Sequence, residues 1–203
     1  MKTNLKKRLN TLFKTSLLTA SVVGLGSMAF AEDTATVPSQ AFWDKLQTHC
    51  GNAYAGKLAE GQDRPEFTGD LVMHVKTCSD NEIKIPFFVG DNLSRTWILT
   101  KDDHNLIQLK HDHRHEDGSE EDINFYGGKS TNVGHDNFQF FPADPETASM
   151  IPGASSNVWW IELGDDQYSY NLKRVAVENP PFRVEFDLTT PIDTPADPWG
   201  WGQ

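Results

Sequence analysis

Between Ile107 and Tyr126 the chain reads IQLKHDHRHEDGSEEDINFY, and His111, His113 and His115 recur there at alternate positions, followed by the carboxylates of Glu120 and Asp122. Asp117-Gly118 between two alternating runs predicts a β-hairpin with a two-residue loop, because type I′ turns need positive φ at both central residues. Alternation then places Ile107, Leu109, His111, His113 and His115 on one face, and Gln108, Lys110, Asp112, Arg114 and Glu116 on the other. With Asp117 and Gly118 as the loop, His115 faces Glu120, His113 faces Asp122, His111 faces Asn124 and Leu109 faces Tyr126. Three imidazoles and two carboxylates would share one surface.

Two histidines spaced i, i+2 on a strand lie about 6 to 7 Å apart at Cα and can converge on one ion. His111 and His115 are twice that far apart, so a single ion would be held by His113 with one of them, completed by Asp122 or Glu120. Two nitrogens and one oxygen suit a divalent transition metal such as Zn, with Mn, Fe and Cu also compatible. Water on such an ion is activated for hydrolysis, which makes a metal-dependent hydrolase one reading of this stretch. Two other readings stand beside it. The histidines form a hydrated hairpin tip, or they are a polar patch inside a barrel that hydrogen-bonds an organic ligand, with Trp97 and Tyr126 as the nearby ligand-binding residues.

No other stretch carries as specific a signal. There is no Gly-x-Ser-x-Gly, and Gly153-Ala154-Ser155 lacks a strand-turn-helix setting. Gly127-Gly128 reads as a turn with no helix after it, so no phosphate cradle is implied. His74 falls on the strand face of Lys76 and is expected at the surface, whereas His135, ahead of Phe138 and Phe140, is a candidate to approach the cluster.

The elements that must position these residues are predominantly strands. Short β-type runs near 53–60, 67–79, 82–90, 95–102, 105–115, 120–126, 131–141, 157–163, 167–177 and 182–188 are separated by turn signals such as Ser79-Asp80-Asn81, Gly90-Asp91-Asn92 and Asn179-Pro180-Pro181. Sequential strands of this kind predict an all-β, up-and-down antiparallel barrel of eight to ten strands, with a β-sandwich as the alternative. One helix is expected over Gln40 to Cys50, capped by Ser39, burying Phe42, Trp43 and Leu46 and ending at Gly51. Asp144 is expected to cap a single helical turn begun by Pro145 and stopped by Pro152. From Pro191 to Gln203 proline density predicts an irregular tail, docked or disordered, ending in Trp199-Gly200-Trp201.

Residues 1–31 read as a secretory signal: Lys2, Lys6, Lys7 and Arg8, an apolar run from Leu17 to Leu25, then Ala29-Phe30-Ala31, with the mature chain starting at Glu32. The apolar run is too short to span a membrane as a helix. The whole chain has 18 basic and 29 acidic residues. Cleavage removes five basic residues and no acidic one, leaving 13 against 29, a net charge of −16. That balance repels nucleic acid and anionic lipid. Cys50 and Cys78 both lie in the exported part, where an oxidising compartment favours one disulfide; no Cys-x-x-Cys spacing points to metal instead.

Arg95-Thr96-Trp97-Ile98-Leu99-Thr100, Leu109 to Glu120 with its KHDHRHEDGSE core, and Tyr126-Gly127-Gly128 together resemble a family of uncharacterised secreted bacterial proteins. The resemblance implies an exported source and brings no activity or ligand with it. More distantly, a short helix feeding Tyr54-Ala55-Gly56-Lys57-Leu58 is similar to the entry of lipocalin-like barrels, whose first-strand Gly-x-Trp is lacking here. The expected function is a periplasmic or secreted barrel that binds a small molecule or a metal ion. The rivals are the hydrolase above and a structural or interaction module of the cell envelope acting through the Trp-Gly-Trp tail.

Overall fold

The computed structural model describes residues 35–201, so the leader expected over 1–31 and the start at Glu32 lie outside the described residues. The chain forms β1 (Ala53–Leu58), β2 (Leu71–His74), β3 (Thr77–Cys78), β4 (Glu82–Val89), β5 (Asn92–Lys101), β6 (Ile107–His113), β7 (Tyr126–Lys129), β8 (Phe138–Pro142), β9 (Asn157–Leu163), β10 (Gln167–Arg174) and β11 (Phe182–Ile192). All pairings are antiparallel, in the order β7-β6-β5-β4-β2-β1-β11-β10-β9-β8, with β3 attached to β4. Apart from the pairing of the first strand with the last, β1 with β11, and the short β3 beside β4, neighbours in space are neighbours in sequence, which is the up-and-down meander.

The two ends of that order nearly close into a barrel. A single antiparallel bridge joins Gly128 to Ala143, and the Asp144 amide donates to the Gly127 carbonyl at 3.1 Å. Only glycine fits on β7 here. A Cβ at Gly127 would stand 1.9 Å from the Leu109 carbonyl oxygen, and one at Gly128 would stand 1.9 Å from that of Pro142. Gly127-Gly128 is therefore not a turn but the middle of a strand squeezed between two others. Across the outside of this seam Lys110 pairs with Asp144 (2.9 Å) and Glu146 (2.7 Å).

Period-two alternation explains which residues fill the interior. On β6 Ile107, Leu109 and His111 point inward, and on β5 Trp97 and Leu99 do so, all of them buried. The helix α1 (Pro38–Gln47) stoppers one end with Phe42, Trp43 and Leu46, none of which retains exposed surface. Its contacts are with the ends of strands: Trp43 Nε1 donates to the Ser79 carbonyl, and Lys45 pairs with Asp165 in the β9–β10 turn at 2.6 Å. Ser39 does not cap this helix. Pro38 occupies its first turn after Val37, pre-set for helical φ, and Ser39 is buried one residue further in.

Cys50, in the turn that leaves α1, is bonded to Cys78 on β3 and ties the stopper to the wall. The 28-residue separation closes a loop, and the entropy this takes from the unfolded ensemble stabilises the fold by roughly 3 to 4 kcal/mol in the chain-entropy account. Replacing both cysteines by alanine is expected to lower the unfolding free energy by that much, read as a lower urea midpoint; an unchanged midpoint would refute it.

Several boundaries differ from the sequence expectation. The run 67–79 splits into a 3₁₀ turn (Pro65–Phe67), β2 and β3, and 131–137 is loop rather than strand. The helix α2 (Pro145–Met150) is capped as expected, the Thr147 amide donating to Asp144 Oδ1 at 2.8 Å. The strand β11 runs past Pro191, because a register shift between Tyr54 and Gly56 lets it resume pairing with β1 where Pro191 faces Tyr54 and Ile192 faces Ala53. Beyond it the tail docks: the Trp199 amide donates to the Leu93 carbonyl, Asp197 pairs with Lys76 at 2.6 Å, and Lys76 and Lys84 lie over the Trp201 ring.

Candidate functional site

At the end of the barrel opposite α1, the interior widens into a cavity of about 360 Å³. Its walls come from seven strands, β4 contributing Phe87, and from two crossing segments. β5 contributes Arg95 and Trp97, β6 His111 and His113, β7 Tyr126, β9 Trp159, β10 Tyr170 and β11 Phe182, while Phe67 and Ile151 come from the 65–67 and 145–154 segments. Trp97 is held rigid by stacking between Phe87 (centroids 4.8 Å) and Tyr170 (4.4 Å). Its two faces are covered, so it offers the cavity an edge.

His111 is built into the wall rather than free in it. Its Nδ1 donates to the Tyr126 carbonyl (2.9 Å), which leaves Nε2 to accept from the Tyr170 hydroxyl (2.6 Å), and its ring stacks on Tyr126 at 4.6 Å. Burial pushes its pKa down to about 3, so the imidazole is neutral at pH 7. His113, the next residue inward-facing on β6, has Nε2 3.0 Å from Tyr126 Oη and Nδ1 3.7 Å from Glu121; burial lowers its pKa too. Burial raises the Tyr126 phenol to about 12, and it stays a hydrogen-bond donor at neutral pH.

The expected five-residue metal set is not brought together. At the tip the His115 amide donates to the Ser119 carbonyl and Gly118 adopts φ +83°, so the loop has three residues, Glu116 to Gly118. Arg114 bridges to Glu120, whereas His111 pairs with Tyr126. Between those two pairings 121–125 stand opposite only 112 and 113, a surplus of three residues that the second arm absorbs in an irregular stretch with Phe125 at φ +52°. The Asn124 side chain substitutes for the ladder by accepting from the His113 amide at 2.8 Å. In consequence Glu120 lies on the outer face beside Arg114 (3.3 Å), and His115 and Asp122 are exposed. Among the described residues no three His, Cys, Asp or Glu side chains are grouped to hold a metal ion.

Two other histidine expectations change. His74 is buried at 3% exposure, not surface-facing: it lies against the Gly51 backbone in the turn after Cys50, with Asp197 of the docked tail nearby. His135 stays outside, stacked on Phe138 at 4.6 Å and away from the cavity.

Trp97 and Tyr126, singled out in the sequence, do line the cavity with His111 and His113. Arg95, Phe67, Trp159, Tyr170 and Phe182 were not anticipated. For Arg95 a signal existed: it is in phase with Trp97 and Leu99 on β5, at a position where alternation calls for an apolar side chain. No helix among the described residues is long and apolar enough to cross a membrane. No protein-family model, curated protein or solved structure matches this chain, so neither the secreted-protein resemblance nor the lipocalin-like one gains support from those comparisons.

Proposed function

We propose that the protein is an exported β-barrel that binds a small, largely apolar organic molecule in the cavity walled by Trp97, Tyr126, Trp159 and Phe182. One observation carries this reading: a barrel stoppered at one end by α1 keeps an aromatic-lined space of about 360 Å³ at the other, a volume inside the range of small-ligand sites, about 300 to 1,000 Å³. A core built only for stability would fill that volume with side chains, since interiors pack to crystal-like density. The Cys50–Cys78 disulfide supports export to an oxidising compartment.

Ala154, nearly buried on the 152–154 turn, lines the same space. Ala154→Phe is expected to fill it and to weaken binding of a neutral naphthylamine dye, followed by its fluorescence, by at least about tenfold, the loss of roughly 1.4 kcal/mol of contact. Unchanged dye affinity in a folded Ala154→Phe protein would defeat the proposal.

A further inference from the structure

Arg95 is the cavity's one deeply placed cation. On β5 it sits two residues before Trp97 on the inward face, flanked across the sheet by Phe87 on β4 and His113 on β6. Its guanidinium carbon lies 5.7 Å from the centroid of the Phe67 ring. Its Nη1 is shut off from solvent and has no hydrogen-bond partner among the described residues.

The surroundings make that isolation unusual. Acidic groups outnumber basic ones 29 to 18 in the chain, and Lys45, Lys76, Lys84, Lys110, Arg114, Lys129 and Arg183 each have a carboxylate partner. Other cations lack one as well, but among the described residues Arg95 is the only lysine or arginine with a solvent-excluded side-chain nitrogen left without a partner. Arg95 takes part in none of the ion pairs among the described residues. The cavity lining adds Arg64 and Arg174 and only one carboxylate, the exposed Glu66. A half-buried guanidinium left unpaired costs folding free energy, and a planar anion that accepts from its fork recovers that cost at binding.

Building on the cavity reading above, we infer that the ligand is an organic anion: an apolar, planar body against the aromatic wall and a carboxylate received by the Arg95 guanidinium. The neutral state of His111 and the protonated phenol of Tyr126 fit this polarity, because neither presents a negative charge to the bound carboxylate. The carboxylate whose field reaches Arg95 is Glu121, which lies 3.7 Å from His113 Nδ1 and forms no ion pair with the guanidinium.

A matched pair of probes tests it, naphthoate and its uncharged amide, titrated against tryptophan fluorescence of the full protein. Naphthoate is expected to bind at least about tenfold more tightly than the amide, the worth of one charge-assisted hydrogen-bond pair. In Arg95→Met the preference should vanish while amide affinity stays within about twofold, and the melting temperature of the unliganded protein should rise. Arg95→Lys, which keeps the charge, should retain part of the preference. Equal affinity of the two probes for the unaltered protein, or a preference that survives in Arg95→Met, overturns the anion assignment alone. Failure of both probes to bind overturns the cavity reading with it.

Discussion

Gly128→Ala is expected to open the β7–β8 seam at which the barrel nearly closes, with a loss above about 4 kcal/mol, the range reserved for substitutions that force backbone apart. The added Cβ would meet the Pro142 carbonyl oxygen at 1.9 Å and its carbon at 2.6 Å. These are backbone atoms of β8, and no rotamer change relieves the clash. β7 would have to leave β8, breaking the Gly128–Ala143 bridge, and the pull would reach the Thr147 hydroxyl, which donates to the Gly127 carbonyl and accepts from its amide. Tyr126 is the adjoining residue and part of the cavity wall, so ligand affinity should fall with stability. Gly127→Ala attacks the same seam from the β6 side. Urea unfolding and gel filtration of both variants check this; a Gly128→Ala protein with the original midpoint would show that the seam is not as tight as its geometry requires.

Acid should weaken the fold well above the pH at which carboxylates protonate. His111 has a folded pKa of about 3 against about 6.5 unfolded, so below pH 6.5 the unfolded chain takes up a proton that the native state refuses. Stability is therefore fully present above pH 6.5 and is lost as pH falls toward 3, at about 1.4 kcal/mol per pH unit and about 3 kcal/mol by pH 4.5. Burial also lowers His49, His74 and His113, and each acts in the same direction. The check is a set of urea midpoints from pH 7.5 to 4.5 for the unaltered protein and His111→Gln. The variant should be less stable at pH 7.5, since Tyr170 loses its acceptor, yet show a shallower slope by about 1.4 kcal/mol per unit. Parallel slopes would mean that His111 is not held neutral in the barrel.

Both predictions turn on positions whose importance is invisible to composition. Gly127-Gly128 looks like punctuation, and only the approach of β6 and β8 to 1.9 Å of an absent Cβ shows that it is a seam. The histidine row is a similar case. Its inward phase through His111 and His113 was legible, because continuing an apolar alternation puts them on the core face. Its partners were not, because a one-residue difference in loop length and three surplus residues in the second arm change every cross-strand neighbour. Glu120 and Asp122 consequently went to solvent, and the partners of the histidines became Tyr126 and Tyr170, the latter 59 residues away.

What the amino-acid order determined on its own is local and periodic: the strand-rich meander, the apolar face of the 38–47 helix, the Asp144 cap and the inward phase of β6 and β11. These follow from alternation, turn chemistry and capping, which act over a few residues and need no knowledge of distant chain. The tertiary structure alone decided where the meander closes, how the hairpin is registered, and that Arg95 is walled in beside the Phe67 ring without an ion-pair partner. Those outcomes depend on residues far apart in sequence competing for the same volume, and packing and charge balance across that volume, not local preference, select the answer.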